Sequence, residues 1–190
     1  MKCNRILLFF LVIGGIFASC HENTDKQTVQ KELEKIVGKK LLFPDSLSLR
    51  LLGECITDSG SLKRNSVKIV SYFTPFLCSS CNLDIFEKWK IIIEGVTFSF
   101  GDVVDFVFIF DQRKNGEAEL TEALKASYFN HPVYYDRGYF VRLNTFVPPN
   151  PLYHTFLTDI DNNIILVGNP VWNRRIKKLY ISTLENMFPQ

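Results

Sequence analysis

Apolar runs and polar punctuation alternate in an informative order from Ser66 onward. Val67 to Phe73 mixes β-branched and aromatic residues, which predicts a buried strand. It leads through Thr74-Pro75-Phe76-Leu77 into Cys78-Ser79-Ser80-Cys81 and then a helical segment to about Glu94. Val103 to Phe110 is apolar enough for a strand covered on both faces. Glu117 to Phe129 predicts a helix, and Val133-Tyr134-Tyr135 a short extended piece. Leu152 to Thr158 and Ile164 to Val167 flank the turn residues Asp159 to Asn163, so they predict an antiparallel hairpin. Arg174 to Met187 reads as a closing helix. Strand, CxxC, helix, strand, helix, hairpin, helix is the order of an α/β chain, with a mixed sheet flanked by helices.

The pattern upstream is different. Met1 to Arg5 is basic, Ile6 to Phe17 is uninterrupted and apolar, and Ala18-Ser19 leads into Cys20. These are the parts of a secretory signal, and the apolar run is well short of the roughly 20 residues that span a bilayer. A cysteine directly after two small residues resembles the bacterial lipobox. That resemblance implies cleavage after residue 19 and lipid attachment at Cys20, whose acyl chains suffice for stable anchoring. Residues 20–30 then read as a polar tether and 31–65 as an N-terminal extension. Within them, Leu33, Ile36 and Val37 fall at helical spacing over Val29 to Val37, ended by Gly38. Leu47 to Ile56 is an extended apolar stretch, followed by the turn cluster Asp58 to Ser61. One domain, 66–190, follows.

Composition narrows the function classes. The chain has 190 residues, enough for one domain with accessories, and 46% are hydrophobic, the profile of a packed globular protein. The formal charge of +2 rests on Lys2 and Arg5, which leave with the signal, so no electrostatic footprint for nucleic acid remains. Five cysteines, at 3, 20, 55, 78 and 81, are too few and too unevenly spaced for a disulfide scaffold.

A buried strand, an aromatic-rich turn, CxxC at a helix start, a βα unit, a hairpin and a final helix resemble the thioredoxin fold. Tyr72-Phe73-Thr74-Pro75-Phe76-Leu77-Cys78-Ser79-Ser80-Cys81 resembles the active-site segment of membrane-anchored bacterial thioredoxin-like proteins of the cytochrome-maturation type. Thr155 to Asp159 with Ile164 to Gly168 resembles their hairpin. The resemblance covers about 66–190 and implies an envelope thiol–disulfide oxidoreductase, its domain facing the periplasm or exterior. It implies protein cysteines or a small thiol as partners, and no cofactor beyond a redox-active Cys78–Cys81 disulfide. Two cysteines three apart on a first helical turn share one side and can close a small ring. Cys78, at the helix start, is favoured as thiolate and nucleophile by the unpaired N–H groups and the dipole; Cys81, inside the turn, would resolve the mixed disulfide. The resemblance also implies a proline facing the cysteines just before the first hairpin strand, where it guides substrate backbone. Aligned on Phe156-Leu157, that place falls to Tyr153, with Pro151 two residues earlier. The family buries an acid behind its disulfide, and Val67 to Phe73 carries none.

Other readings of the same residues stand beside this one. Cys78 and Cys81 could form a static bridge in a thioredoxin-fold binding module, or half of a zinc site, although no second CxxC or His-x-His pair follows. Cys78, Cys81 and His154 together could form a copper-handling site, although copper chaperones of this fold use a CxxxC spacing; a strand histidine satisfied locally is the plainer reading. Cys55 reads as an inert buried thiol. Tyr134, Tyr135, Tyr139 and Phe140 read as core and strand material, and Glu117, Glu119 and Glu122 as a solvated helix face.

Overall fold

The structure, a computed structural model, describes residues 27–56, 62, 65–74, 79–113 and 116–189, with the backbone alone at 79–83. The expected signal segment with Cys3, Cys20 as the expected point of lipid attachment, the expected turn cluster at 58–61 and Cys78 lie outside the described residues. The chain divides into two compact units, one ending at Ile36 and one running from Val37 to Gln190. In the first, residues 27–36 form helix α1, with Lys35 paired to Glu32 one turn back at 2.6 Å.

The second unit is built on a seven-stranded sheet of order β2-β1-β5-β4-β3-β6-β7. Its centre is parallel: β3 (Val67–Phe73), β4 (Val104–Asp111) and β5 (Val133–Asp136) run side by side, with Ile69 opposite Phe106 and Phe110 opposite Tyr135. β6 (Thr155–Thr158) lies antiparallel on β3 with Ser71 opposite Thr155, and β7 (Ile164–Val167) closes that edge. The Asp159 carboxylate accepts the backbone N–H of Asp161 and of Asn163, which sets the hairpin turn between them.

The stretch 47–56 is a hairpin and not one extended run. β1 (Ser48–Leu51) turns at Leu52-Gly53 into β2 (Glu54–Cys55), and β1 joins the sheet antiparallel to β5. Leu52 and Gly53 both have positive φ, 48° and 88°, which matches the right-handed twist of a tight hairpin and favours glycine at its second position. A Cβ on Gly53 would also meet the Thr121 side chain at 2.4 Å. The piece expected as an extension thus supplies two strands. Cys55 closes the two-residue edge strand and is a free, exposed thiol rather than a buried one.

Alternation along the strands sorts side chains to two faces. One face carries Val67, Ile69, Phe106, Phe108 and Leu157 against α2 (Ser79–Phe100), α3 (Glu117–Ala126) and α5 (Arg174–Met187). Phe86, Trp89, Ile92 and Val96 recur on α2 at helical spacing, and Trp89 meets Phe108 edge-on at 5.0 Å. Burying each such aromatic contributes about 1.5–3 kcal/mol relative to leaving it in water. The opposite face carries Val70, Tyr72 and Phe156, and there Tyr72 stacks at 5.2 Å on Phe140 of a short helix, α4 (Tyr139–Leu143). Helices therefore flank both faces of a mixed sheet. Tyr139 belongs to α4 and is exposed, so it is neither core nor strand. Glu117, Glu119 and Glu122 are exposed, as their pattern implied. No helix among the described residues is long and apolar enough to cross a membrane.

Candidate functional site

The parallel strands β3, β4 and β5 deliver their carboxyl ends to one edge of the sheet, the edge where open α/β sheets form their binding crevices. β3 ends at Phe73 and α2 begins at Ser79, so the CxxC run enters the first turn of α2 with Cys81 as its third residue. β4 brings Asp111 to the same edge and β5 brings Asp136. Because β6 runs antiparallel to β3, its approach also arrives there: the backbone N–H of Tyr72 donates to the His154 carbonyl at 2.9 Å.

Asp111 is the hub of this edge. Its side chain is fully buried, and it accepts the Tyr72 hydroxyl at 2.9 Å, Arg113 Nε at 2.8 Å and the Arg113 backbone N–H at 3.0 Å. The Arg113 guanidinium forms an ion pair with the same carboxylate. Burial alone would push the carboxyl pKa up, but the hydrogen bonds from Arg113 and Tyr72 outweigh it and hold Asp111 below the ordinary carboxylate value. Burial of the Tyr72 hydroxyl, and then its bond to the Asp111 carboxylate, raise the phenol's pKa, so it stays protonated and donating. The Arg113 side chain packs close to Gly138, where an added Cβ would stand 2.5 Å from its Cδ. Gly138 has φ +81°, so a side chain there would be strained as well as crowded.

Asp136 shapes the neighbouring loop. Its two carboxylate oxygens accept the backbone N–H groups of Gly138, Tyr139 and Phe140 at 3.0–3.1 Å. Those are the orphan donors at the start of α4, and a negative charge is favourable there.

His154 is only 4% exposed. Its Nε2 donates to the Pro148 carbonyl at 2.8 Å, its ring sits edge-on to Tyr72 at 5.5 Å, and Nδ1 is buried without a hydrogen-bond partner. Burial lowers its pKa, and the bond to Pro148 offsets this in part. Among the described residues no group of three His, Cys, Asp or Glu side chains is arranged to hold a metal ion. His131 stands apart, its Nδ1 against the Pro132 carbonyl and its ring edge-on to Phe108.

Pro151 and Tyr153 fall in a single 3-10 turn, not in a strand beginning at Leu152. The Asn150 side chain accepts the Leu152 N–H at 3.1 Å and starts that turn, so β6 begins only at Thr155. Pro151 has no N–H to offer a ladder, which is why the turn accommodates it. Among the described residues every peptide bond is trans. The two residues expected to guide substrate therefore lie just beyond the end of the β3–β6 ladder, whose last strand pair is Ser71 with Thr155.

Asp111, Arg113 and Asp136 carried no role in the sequence reading. Their one sequence signal is that Asp111 and Asp136 each close an apolar strand run. An acid in such a place is a strand end to pattern reasoning; that three ends share one edge is visible only once the strands pair.

The chain matches no protein-family model, and no curated protein matches it in sequence. Solved structures do match. A protein from Chlorobium tepidum described as a thiol:disulfide interchange protein DsbE superposes with a TM-score of 0.52 at 18% identity, over 78% of this chain and 99% of that one. An uncharacterized thioredoxin-like protein from Porphyromonas gingivalis gives 0.50 at 14% identity, over 79% and 92%. AhpC from Enterococcus faecalis gives 0.51 at 16% identity, over 82% and 96%. The fold is thioredoxin-like. At these identities the likeness speaks for the fold.

Proposed function

We propose that this chain is a thiol–disulfide oxidoreductase of the bacterial cell envelope, held there by a lipid on Cys20 and working through Cys78 and Cys81. One observation carries the reading: in a thioredoxin-like sheet, the CxxC run spans the junction from the carboxyl end of β3 into the first turn of α2. The likeness to a protein described as a thiol:disulfide interchange protein supports it. In the reducing direction the Cys78 thiolate attacks a substrate disulfide, forming a mixed disulfide and releasing one substrate thiolate. Cys81, as thiolate, then attacks Cys78 Sγ, releasing the second substrate thiolate and leaving Cys78–Cys81 oxidised. A dithiol donor would restore the pair, and the same steps run backward oxidise a substrate dithiol. The partners are cysteine-bearing proteins or a small thiol, and the disulfide itself is the only redox group required.

Turnover of a protein disulfide under a dithiol reductant tests this. Cys78→Ala should abolish turnover, and Cys81→Ser should retain the mixed disulfide as a covalent adduct visible without reductant. Alkylation across pH should show one thiol titrating below the ~8.5 of a free cysteine. Turnover at the wild-type rate in Cys78→Ala refutes the assignment. A Cys78–Cys81 bond that resists mild reductant favours a static bridge in a binding module.

A further inference from the structure

Among the described residues of the second unit, the outer surface of α2 and α5 carries exposed apolar and cationic side chains. Ile91 is 61% exposed and Phe98 94%, on a single stripe of α2 two turns apart. Trp172, 56% exposed just before α5, lies under the Lys88 ammonium at 4.2 Å, which ties it to the same helix. Between the helices runs a cleft of about 110 Å³, bordered by Ile91 and Gly95 on α2 and by Lys177 and Ile181 on α5. A Cβ on Gly95 would meet nothing within 4 Å, so open space lies beside that helix position. Lys177 borders the cleft and, with Arg174 and Lys178, lines the adjoining face of α5; all three are exposed, and none makes an ion pair among the described residues. Two acids share this face, Glu185 on α5 and exposed Glu94 between Ile91 and Phe98 on α2.

Single exposed apolar residues need no explanation, but exposed Ile91, Phe98 and Trp172 around an apolar cleft, beside these cations, have a physical use. Apolar side chains with a tryptophan suit the boundary between headgroups and acyl chains, and lysine and arginine beside them are attracted to anionic lipid. We propose that the α2–α5 face is a docking surface for an anionic lipid bilayer. Ile91, Phe98 and Trp172 enter the headgroup boundary, and Arg174, Lys177 and Lys178 meet lipid phosphates. This surface stands apart from the thiol chemistry, so either proposal can fail without the other.

The full chain has two tryptophans, Trp89, which is buried, and Trp172, so intrinsic fluorescence reports on this face. The test reconstitutes the full chain in vesicles of brominated phosphatidylcholine with and without phosphatidylglycerol, using Trp172→Phe to subtract Trp89. Bringing the chain to vesicles through its N-terminal segment does not decide the result, because the readout is the depth of Trp172. Anionic lipid should raise bromine quenching of Trp172 at least about twofold, and salt should reverse the rise. Lys177→Gln/Lys178→Gln, surface changes that leave the core untouched, should return quenching to the zwitterionic level. Phe98→Ser should lower it at constant charge. Quenching indifferent to phosphatidylglycerol, or unchanged in the lysine variant, overturns the proposal. So does concentration-dependent self-association without lipid that shields Trp172, which would assign the face to a second copy of the chain.

Discussion

Removing the charge at Asp111 isolates the interaction that organises the carboxyl edge of the sheet. Asp111→Asn keeps the shape but turns an amide donor toward an arginine that also donates. It loses the charge-assisted bonds from Tyr72 at 2.9 Å and Arg113 Nε at 2.8 Å, together with the guanidinium ion pair. A hydrogen bond to a buried charge contributes about 1.5–3 kcal/mol, and breaking a fully buried ion pair costs about 3–5 kcal/mol. The Arg113 side chain is 46% exposed and can rehydrate, and the amide oxygen still accepts from Tyr72, so the full ion-pair figure overstates the loss. The expected cost at neutral pH is therefore about 2 kcal/mol. Its pH dependence has a definite sign. The folded-state pKa of Asp111 lies below the ordinary 3.8, so its contribution is complete above that value and is lost as pH falls through the folded pKa. Urea unfolding followed by tryptophan fluorescence should show the gap to wild type at pH 7 and its narrowing below about pH 4. In a double-mutant cycle with Arg113→Ala the two costs should be strongly non-additive. A gap under about 0.5 kcal/mol at pH 7, the range of an ordinary surface change, refutes the reasoning, as does a gap that persists undiminished in acid.

His154→Gln should flatten one limb of the stability curve. The folded-state pKa of His154 is lowered from 6.5 by burial, so the unfolded chain binds the proton first and wild-type stability falls as pH drops below about 6.5, by at most about 1.4 kcal/mol per pH unit; urea midpoints from pH 7 to pH 5 that run parallel in both proteins contradict this. Asp136→Ala should cost about 2 kcal/mol, the upper range for losing a helix cap, because three backbone N–H groups lose their acceptor together. Asp136→Asn should recover part of that loss, and an alanine variant with an unchanged urea midpoint would show the cap to be dispensable.

The elements with strong periodicity were legible in the chain itself. Val67 to Phe73 and Arg174 to Met187 have the bounds that their pattern predicted. Such segments owe their form to neighbours in sequence: β-branched and aromatic residues in one, an apolar stripe at helical spacing in the other. The Asn173 cap at the start of α5 is equally local. The CxxC spacing also belongs to sequence, because it is read over a few adjacent residues, as is the expectation of a secretory signal, which lies outside the described residues.

What tertiary structure decided are the features set by pairing between distant segments. β1 lies on β5 some eighty positions away, which no window on residues 47–56 could report. Leu152 to His154 look extended by composition, yet the Asn150 cap and the ring of Pro151 hold a turn there, and strand pairing begins only where Thr155 meets Ser71. Cys55 is expected in the core because a free cysteine is among the most often buried residue types; its exposure follows from the place of β2 at the sheet's edge. Val67 to Phe73 carries no acid, and the buried carboxylate at this edge of the sheet, Asp111, is the last residue of the neighbouring strand β4. Hydrophobic periodicity records which face a residue takes, because burial is averaged along its own strand. Which strand ends meet is set by long-range pairing, and that is why Tyr72, Asp111, Arg113 and His154 become one site only in the folded chain.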